Sequence, residues 1–151
     1  MVPASCGEAR RSVEWRIVSH PANLAVVRRG VEALAGQHGF DLQSRDEIGL
    51  CVNEALANVI RHAYRGAVDQ PIVITVTCLN EAIQITIRDW GNGIDPLDQP
   101  AGEYDPLQGG GVGLICLKGL MDKIAFSSQS DGMLLTMMRL KVRETNAQGR
   151  S

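Results

Sequence analysis

No run in this 151-residue chain approaches the ~20 consecutive apolar residues that a membrane helix needs, and its first residues carry no apolar leader core. A cytoplasmic protein without a membrane partner is therefore expected. A formal net charge of -2 leaves no basic footprint, which argues against direct nucleic-acid binding. The four cysteines, Cys6, Cys51, Cys78 and Cys116, show neither CxxC nor Cys/His ligand spacing. Three of them lie in apolar periodic segments, where a thiol packs as a small hydrophobe, so reduced core cysteines are expected. The glycine-rich stretches have no Gly-Lys-Ser/Thr ending, which excludes a P-loop, and no strand stands directly before the later cluster, which excludes a dinucleotide fingerprint. There is no internal repeat and no low-complexity segment.

What is present is an ordinary globular composition, 44% hydrophobic and 21% charged. A chain of this length buries enough surface to fold without staples. One domain is expected over residues 1–151, with its core at about 12–143 and loose ends. Val13, Trp15 and Ile17 alternate as in a half-buried strand, and Leu24, Val27, Val31 and Leu34 then take helical spacing up to Gly39. Ser44 with Glu47 has the form of a capping box, after which Ile48, Cys51, Val52, Ala55, Leu56, Val59, Ile60 and Ala63 repeat at helix period. Ile72, Ile74, Val76 and Cys78, then Ile83, Ile85 and Ile87, alternate on either side of a turn and predict an antiparallel hairpin. From Gly91 to Gly111 no period survives, and a loop of that length is functional or disordered. Leu114, Leu117, Leu120 and Met121 predict a helix, followed by strands near Ile124–Ser128 and Leu134–Val142 joined at Ser130-Asp131-Gly132. The fold class expected is α+β, a two-layer α/β sandwich with a mixed, mostly antiparallel sheet and helices on one face.

Three groups of residues bear on chemistry. Glu54, Asn58 and His62 recur every four residues, stepping about 40° around a helical wheel at the border of its apolar arc. An Asn amide oxygen suits Mg²⁺, which binds phosphates with few protein ligands, and a carboxylate one turn away could act as a base. Alone, the triplet could equally cap the edge of a surface helix. Asp89 closes the strand of Ile83, Ile85 and Ile87, where its carboxylate can accept from an exocyclic amine. Gly91 and Gly93 would let the backbone pass close to a base and take positive φ, although Asp-x-Gly-x-Gly also occurs as a plain turn. Gly109, Gly110, Gly111 and Gly113 precede a helix whose NH groups could cradle phosphates. A flexible linker is the alternative. The occurrence of all three within about 60 residues, in this order, favours one nucleotide site.

The segment Asn53-Glu54-Ala55-Leu56-Ala57-Asn58-Val59-Ile60-Arg61-His62-Ala63-Tyr64, the turn Asp89-Trp90-Gly91-Asn92-Gly93 and the run Gly109-Gly110-Gly111-Val112-Gly113-Leu114 resemble the N, G1 and G2 boxes of GHKL ATPases. The His-Ala-Tyr ending and Leu120-Met121-Asp122 are similar to those of stand-alone anti-sigma factor serine kinases. That resemblance implies a Bergerat ATP-binding fold using ATP and Mg²⁺, with Asn58 on the metal, Glu54 as the base that deprotonates an acceptor serine or threonine, and Asp89 on the adenine amine. It further implies that Gly91 and Gly93 shape the adenine site and that Gly109, Gly111 and Gly113 form the triphosphate site and lid. The acceptor would be a STAS-domain anti-anti-sigma protein, the sequestered partner a sigma factor, and the protein a homodimer. One departure stands out. Such kinases commonly place a threonine just after the glycine of the last hairpin, where this chain has Met133 and Leu134 after Gly132, with Thr136 further on. Competing readings are an ATP-gated binding module without catalysis and a kinase of a scaffold outside sigma-factor pathways. A detached histidine-kinase catalytic domain is disfavoured by the lack of preceding dimerisation helices. The base role requires Glu54 to be partly desolvated, because a free Glu, titrating near ~4.3, is a poor base for a hydroxyl.

Overall fold

Alternation of apolar residues becomes strand wherever expected. In the computed structural model, which describes residues 11–91 and 117–142, the first alternating run is β1 (Arg11–Val18), and the central hairpin is β2 (Pro71–Leu79) with β3 (Ala82–Asp89). The last two strands are β4 (Lys123–Gln129) and β5 (Gly132–Leu140). They form one five-stranded sheet in the order β1-β2-β3-β5-β4. Every described pairing is antiparallel, so the mixed element of the expectation is absent among these residues. The register places Ile74 opposite Ile87 and Val76 opposite Ile85, and Ile85 opposite Met137 and Ile87 opposite Leu135. These side chains line one face and are buried, each contributing about 1.5–3 kcal/mol by leaving water.

Two helices cover that face. Helix α1 (Ala22–Gln37) turns Val27, Val31 and Ala35 inward, and α2 (Leu42–Asn58) does the same with Ile48, Cys51, Val52, Ala55 and Leu56. All of them join the β2, β3 and β5 residues in one hydrophobic core. Cys51 and Cys78 are buried and form no disulfide, as their apolar settings predict, while Cys6 and Cys116 lie outside the described residues.

The start of α2 corrects the sequence reading. Its N-cap is Asp41, whose carboxylate accepts from the Ser44 backbone NH at 2.8 Å; this bond holds the Asp41 carboxyl below the usual carboxylate range. Ser44 and Glu47 are therefore inside the helix and do not form a capping box. Both instead accept from Arg139, Ser44 Oγ at 3.1 Å and Glu47 Oε1 at 2.8 Å. Arg139 is buried on the core-facing side of β5 and also donates to the Leu120 carbonyl at 2.8 Å. Arg139 lies 95 residues from Ser44 in the chain, so this partner is invisible to a local capping rule.

The end of α2 also departs from a uniform helix. After Asn58 the backbone widens into a π-helical turn, Val59–Ala63, closed by the Tyr64 NH on the Val59 carbonyl at 2.9 Å. Single π-turns inside helices recur at functional sites. A turn closed over five residues rotates less per residue than an α-turn, so the 40° step of a regular α-helix does not carry through to His62. The chain then reverses through Arg65 and Gly66, both at positive φ. Fully buried Ser19 holds the return to β2, donating to the Ala67 carbonyl and accepting from the Gln70 NH at 2.6 and 3.1 Å.

Of the helix expected from Leu114, Leu117, Leu120 and Met121, residues 117–120 are helical, Leu114 lies outside the described residues and Met121 follows the helix's end. Asp122 pins this segment to β5, its NH donating to the Met138 carbonyl and its carboxylate accepting from the Leu140 NH, each at 2.8 Å.

Candidate functional site

Strand alternation places Asp89. In β3 the buried residues are Ile83, Ile85, Ile87 and then Asp89, so a carboxylate occupies the next inward position after three isoleucines. It is 3% exposed. Burial raises its pKa above the ordinary aspartate value, and the backbone NH groups of Gly91 and Met133 and the Arg88 guanidinium only partly oppose this. The Gly91 NH donates to Oδ1 at 2.9 Å.

Asp89 forms part of the floor of a cleft of about 520 Å³, counting its solvent-open space. Ala55, Asn58, Val59, His62 and Ala63 of the helix and its π-turn make one wall. Ile87 and Asp89 of β3 with Met133 and Leu135 of β5 form the floor, and Leu117 and Phe126 complete the lining. The cleft is mainly apolar with polar groups at its margin, the make-up expected of a small-molecule site. A flat heteroaromatic ring could rest on these apolar side chains while an amine on its edge reached Asp89.

The helix triplet is divided. Asn58 and His62 line the cleft. Glu54 lies one turn before Asn58 on the same helix and is half-buried, but it does not line the cleft. Asn58 Oδ1 accepts from Arg61 Nη2 at 3.4 Å, a long contact that is readily exchanged for another partner. Desolvation beside the cleft, and Arg61 next to it, lower the His62 pKa from the ordinary histidine value. Gly93, Gly109, Gly111 and Gly113 lie outside the described residues.

Gly91 has a different reason to be glycine from the one expected. Its φ is not positive and it does not line the cleft. Instead it packs against the end of the π-turn, where an added Cβ would lie 2.5 Å from the Ala63 carbonyl oxygen and 2.7 Å from the Ala63 Cβ. Most of that obstacle is backbone, so a side chain there must separate strand end from helix end. Gly91→Ala should lower ATP affinity at least tenfold while the fold persists, as titration calorimetry and circular dichroism would measure; unchanged affinity would show that the contact is dispensable. Gly132, at φ +148, opens β5 against the Asp89 backbone, where a Cβ would collide with the Asp89 carbonyl oxygen.

Sequence reasoning gave no role to several neighbours. Tyr64 donates its hydroxyl to the Pro71 carbonyl at 2.6 Å and accepts from the Trp90 NH at 2.8 Å. Arg88 stacks on Trp90, 4.5 Å from the ring centroid, and pairs with Asp131 at 2.5 Å. The apolar floor was legible in part, since Leu135 and Met133 continue the alternation of β5. Where a threonine would be common, Met133 lines the cleft and its backbone NH faces Asp89. Thr136 is directed elsewhere: it pairs with Thr86 and Ala125 on the opposite face of the sheet.

Comparison with known proteins finds relatives by sequence and by fold. The chain is 28% identical over 131 residues to the serine-protein kinase RsbW of Oceanobacillus iheyensis, covering 82% of this chain and 83% of that protein. It is 23% identical over 135 residues to the serine-protein kinase RsbW of Bacillus subtilis, covering 84% of each. Among solved structures, the RsbU and RsbW domains of a Mycobacterium tuberculosis protein superpose with a TM-score of 0.64 at 14% identity, over 86% of this chain and 32% of that one. The histidine kinase domain of a blue-light activated histidine kinase from Erythrobacter litoralis gives a TM-score of 0.56 at 15% identity, over 87% of this chain and 65% of that one. The relatives are thus named serine-protein kinases, and the two structures share the α+β fold. A family model described as the histidine kinase-like ATPase domain matches residues 17–139, and the chain belongs to that family.

Proposed function

We propose that this protein is an ATP-dependent serine/threonine protein kinase of the anti-sigma factor type. The observation that carries the reading is the convergence of Asn58 and buried Asp89 on one apolar cleft, with half-buried Glu54 one helical turn from Asn58. In this reading Asp89 accepts from the adenine amine, the apolar floor takes the ring, and Glu54 receives the proton of the acceptor hydroxyl. Gly93, Gly109, Gly111 and Gly113 are assigned to the adenine turn, the triphosphate site and the lid. Phosphoryl transfer asks the protein mainly for positioning and charge neutralisation, and needs no covalent intermediate.

The residues present suit Mg²⁺. It needs few protein ligands beside water and phosphate oxygens, and Asn58 offers a hard amide oxygen at the cleft wall whose contact with Arg61 is long. Once bound, the ion would neutralise phosphate charge.

The acceptor is assigned as a serine or threonine of a STAS-domain anti-anti-sigma protein, and the sequestered partner as a sigma factor; the relatives' name, serine-protein kinase, supports a serine acceptor. We further assign residues 1–151 to a single kinase domain, a homodimer in the cytoplasm. No described helix is long and apolar enough to cross a membrane. The sheet face away from α1 and α2 offers Thr75, Thr86, Leu134, Thr136 and Met138, all half-buried, as surface for a second copy.

Transfer from γ-labelled ATP with Mg²⁺ into extract of the source organism tests the assignment. Label is expected on a serine or threonine of a small STAS protein, identified by mass spectrometry. ATP binding without any labelled protein would favour a nucleotide-gated binding module instead.

A further inference from the structure

The cleft has two sides that come from distant parts of the chain. Asn58 and His62 are on the helix and its π-turn, and Asp89 is at the end of β3. Their separation decides whether a nucleotide can touch both, and local structure does not set it.

The register of β2 and β3 identifies what does. The two strands pair from Leu79 with Ala82 through to Ile72 with Asp89. The next positions are Pro71 and Trp90, and there the ladder stops. The Trp90 NH and the Pro71 carbonyl do not bond to one another across the strands; the Tyr64 hydroxyl lies between them, accepting from Trp90 at 2.8 Å and donating to Pro71 at 2.6 Å. A phenol hydroxyl has one proton to give, and here it is committed to Pro71. Tyr64 itself is 8% exposed, and burial raises its pKa, so the hydroxyl keeps its proton at neutral pH. The ring belongs to the residue that closes the π-turn, so this hydroxyl joins the helix side of the cleft to the end of both strands.

We propose that Tyr64 is a positioning residue for the nucleotide: its hydroxyl, inserted between Pro71 and Trp90, holds the Asp89 end of β3 at a fixed distance from the helix that bears Asn58. The proposal rests on the ATP reading of the cleft. Removing the hydroxyl leaves two outcomes for the strand ends. The Trp90 NH and Pro71 carbonyl either stay apart without partners, or close on each other and draw the end of β3 toward β2. Both alter the placement of Asp89 relative to Asn58, whereas Glu54, on the far side of Asn58, keeps its helical setting.

Tyr64→Phe should therefore raise both the Kd and the KM for ATP about tenfold, with kcat at saturating ATP within threefold of the parent, the pattern of lost uniform binding. Its Trp90 emission should shift as well, because the Trp90 backbone is released while the ring stacks on Arg88. The shift would be read in a Trp15→Phe background, which removes the only other tryptophan. Unchanged Kd and unchanged emission in a folded Tyr64→Phe protein would overturn the proposal. Should the variant fail to fold, amide hydrogen exchange of the parent protein decides. The Trp90 NH, one position beyond the ladder and in a residue 40% exposed, should exchange at least a hundredfold more slowly than an open amide; free exchange overturns the latch. A parent chain that binds no ATP would refute the nucleotide reading, a result distinguishable because the exchange experiment needs no nucleotide.

Discussion

Glu54→Ala should bind ATP with a Kd within about twofold of the parent yet lose at least 100-fold in phosphate transfer, since a positioned general base contributes roughly 10²–10⁴ in rate. Two placements support separate effects on binding and rate. Glu54 is half-buried one turn before Asn58 and does not line the cleft, so its truncation leaves the nucleotide's walls intact. Residues four apart on a helix have their Cβ atoms about 5–6 Å from one another, so its carboxylate can reach a hydroxyl brought up to a nucleotide held beside Asn58. Glu54→Gln keeps the volume and removes the base, and it should match the alanine variant in rate. Single-turnover transfer with a saturating acceptor protein separates chemistry from binding. Transfer at the parental rate by either variant would remove Glu54 from the role of base.

Asp89→Asn should weaken ATP binding by about 1.5–3 kcal/mol, the worth of a hydrogen bond to a charged group, or roughly 10- to 150-fold in Kd. The side-chain inventory gives the reason. The Gly91 NH donates to Oδ1 at 2.9 Å and the Met133 NH also bonds the carboxylate, but two carboxylate oxygens offer about four lone-pair sites, so acceptor capacity remains for an amine. Asparagine replaces one of those oxygens with NH₂ and so sets a donor against a donor. Titration calorimetry with ATP measures the loss, and unchanged affinity would contradict the adenine assignment.

The same substitution should stabilise the protein without ligand near pH 7. Burial raises the Asp89 pKa in the folded chain, so between its unfolded and folded values the native state binds more protons than the unfolded one. Stability then falls as pH rises through that window, and the cost of the buried charge is fully felt above the folded value. Asparagine carries no such charge. Its Tm should exceed that of the parent at pH 7, with the gap closing on acidification through the window. Thermal unfolding at a series of pH values would record this, and a variant less stable than the parent at pH 7 would show that the hydrogen bonds to the carboxylate outweigh its desolvation. A site residue that destabilises its own fold is consistent with retention for binding rather than packing.

Strand alternation made much of this legible in advance. Ile83, Ile85, Ile87 and Asp89 share a phase, so the inward turn of Asp89 followed from counting by two. The apolar period of α2 likewise put Asn58 at the border of the core. What counting missed lay in long-range competition. The Ser44 and Glu47 pair satisfies the local rule for a cap, yet Arg139 draws both away and Asp41 caps the helix. The wider turn at Val59–Ala63 leaves no mark in hydrophobic spacing. Gly91 was identifiable as special, but the obstacle that requires glycine is the Ala63 carbonyl, 28 residues earlier in the chain.

By itself, then, the sequence determined the elements, the inward phase of each strand, the helix strip of Glu54, Asn58 and His62, and the resemblance that points to ATP. These follow from periods of 2 and 3.6 residues and from short motifs, which depend on backbone geometry within one element. Only the tertiary structure decided that Asn58 and Asp89 face one cleft, that Glu54 lies beside it, and that the Tyr64 hydroxyl spans the gap between Pro71 and Trp90. Those relations join groups whose distance is set by packing and hydrogen bonds between elements, and no local period encodes them.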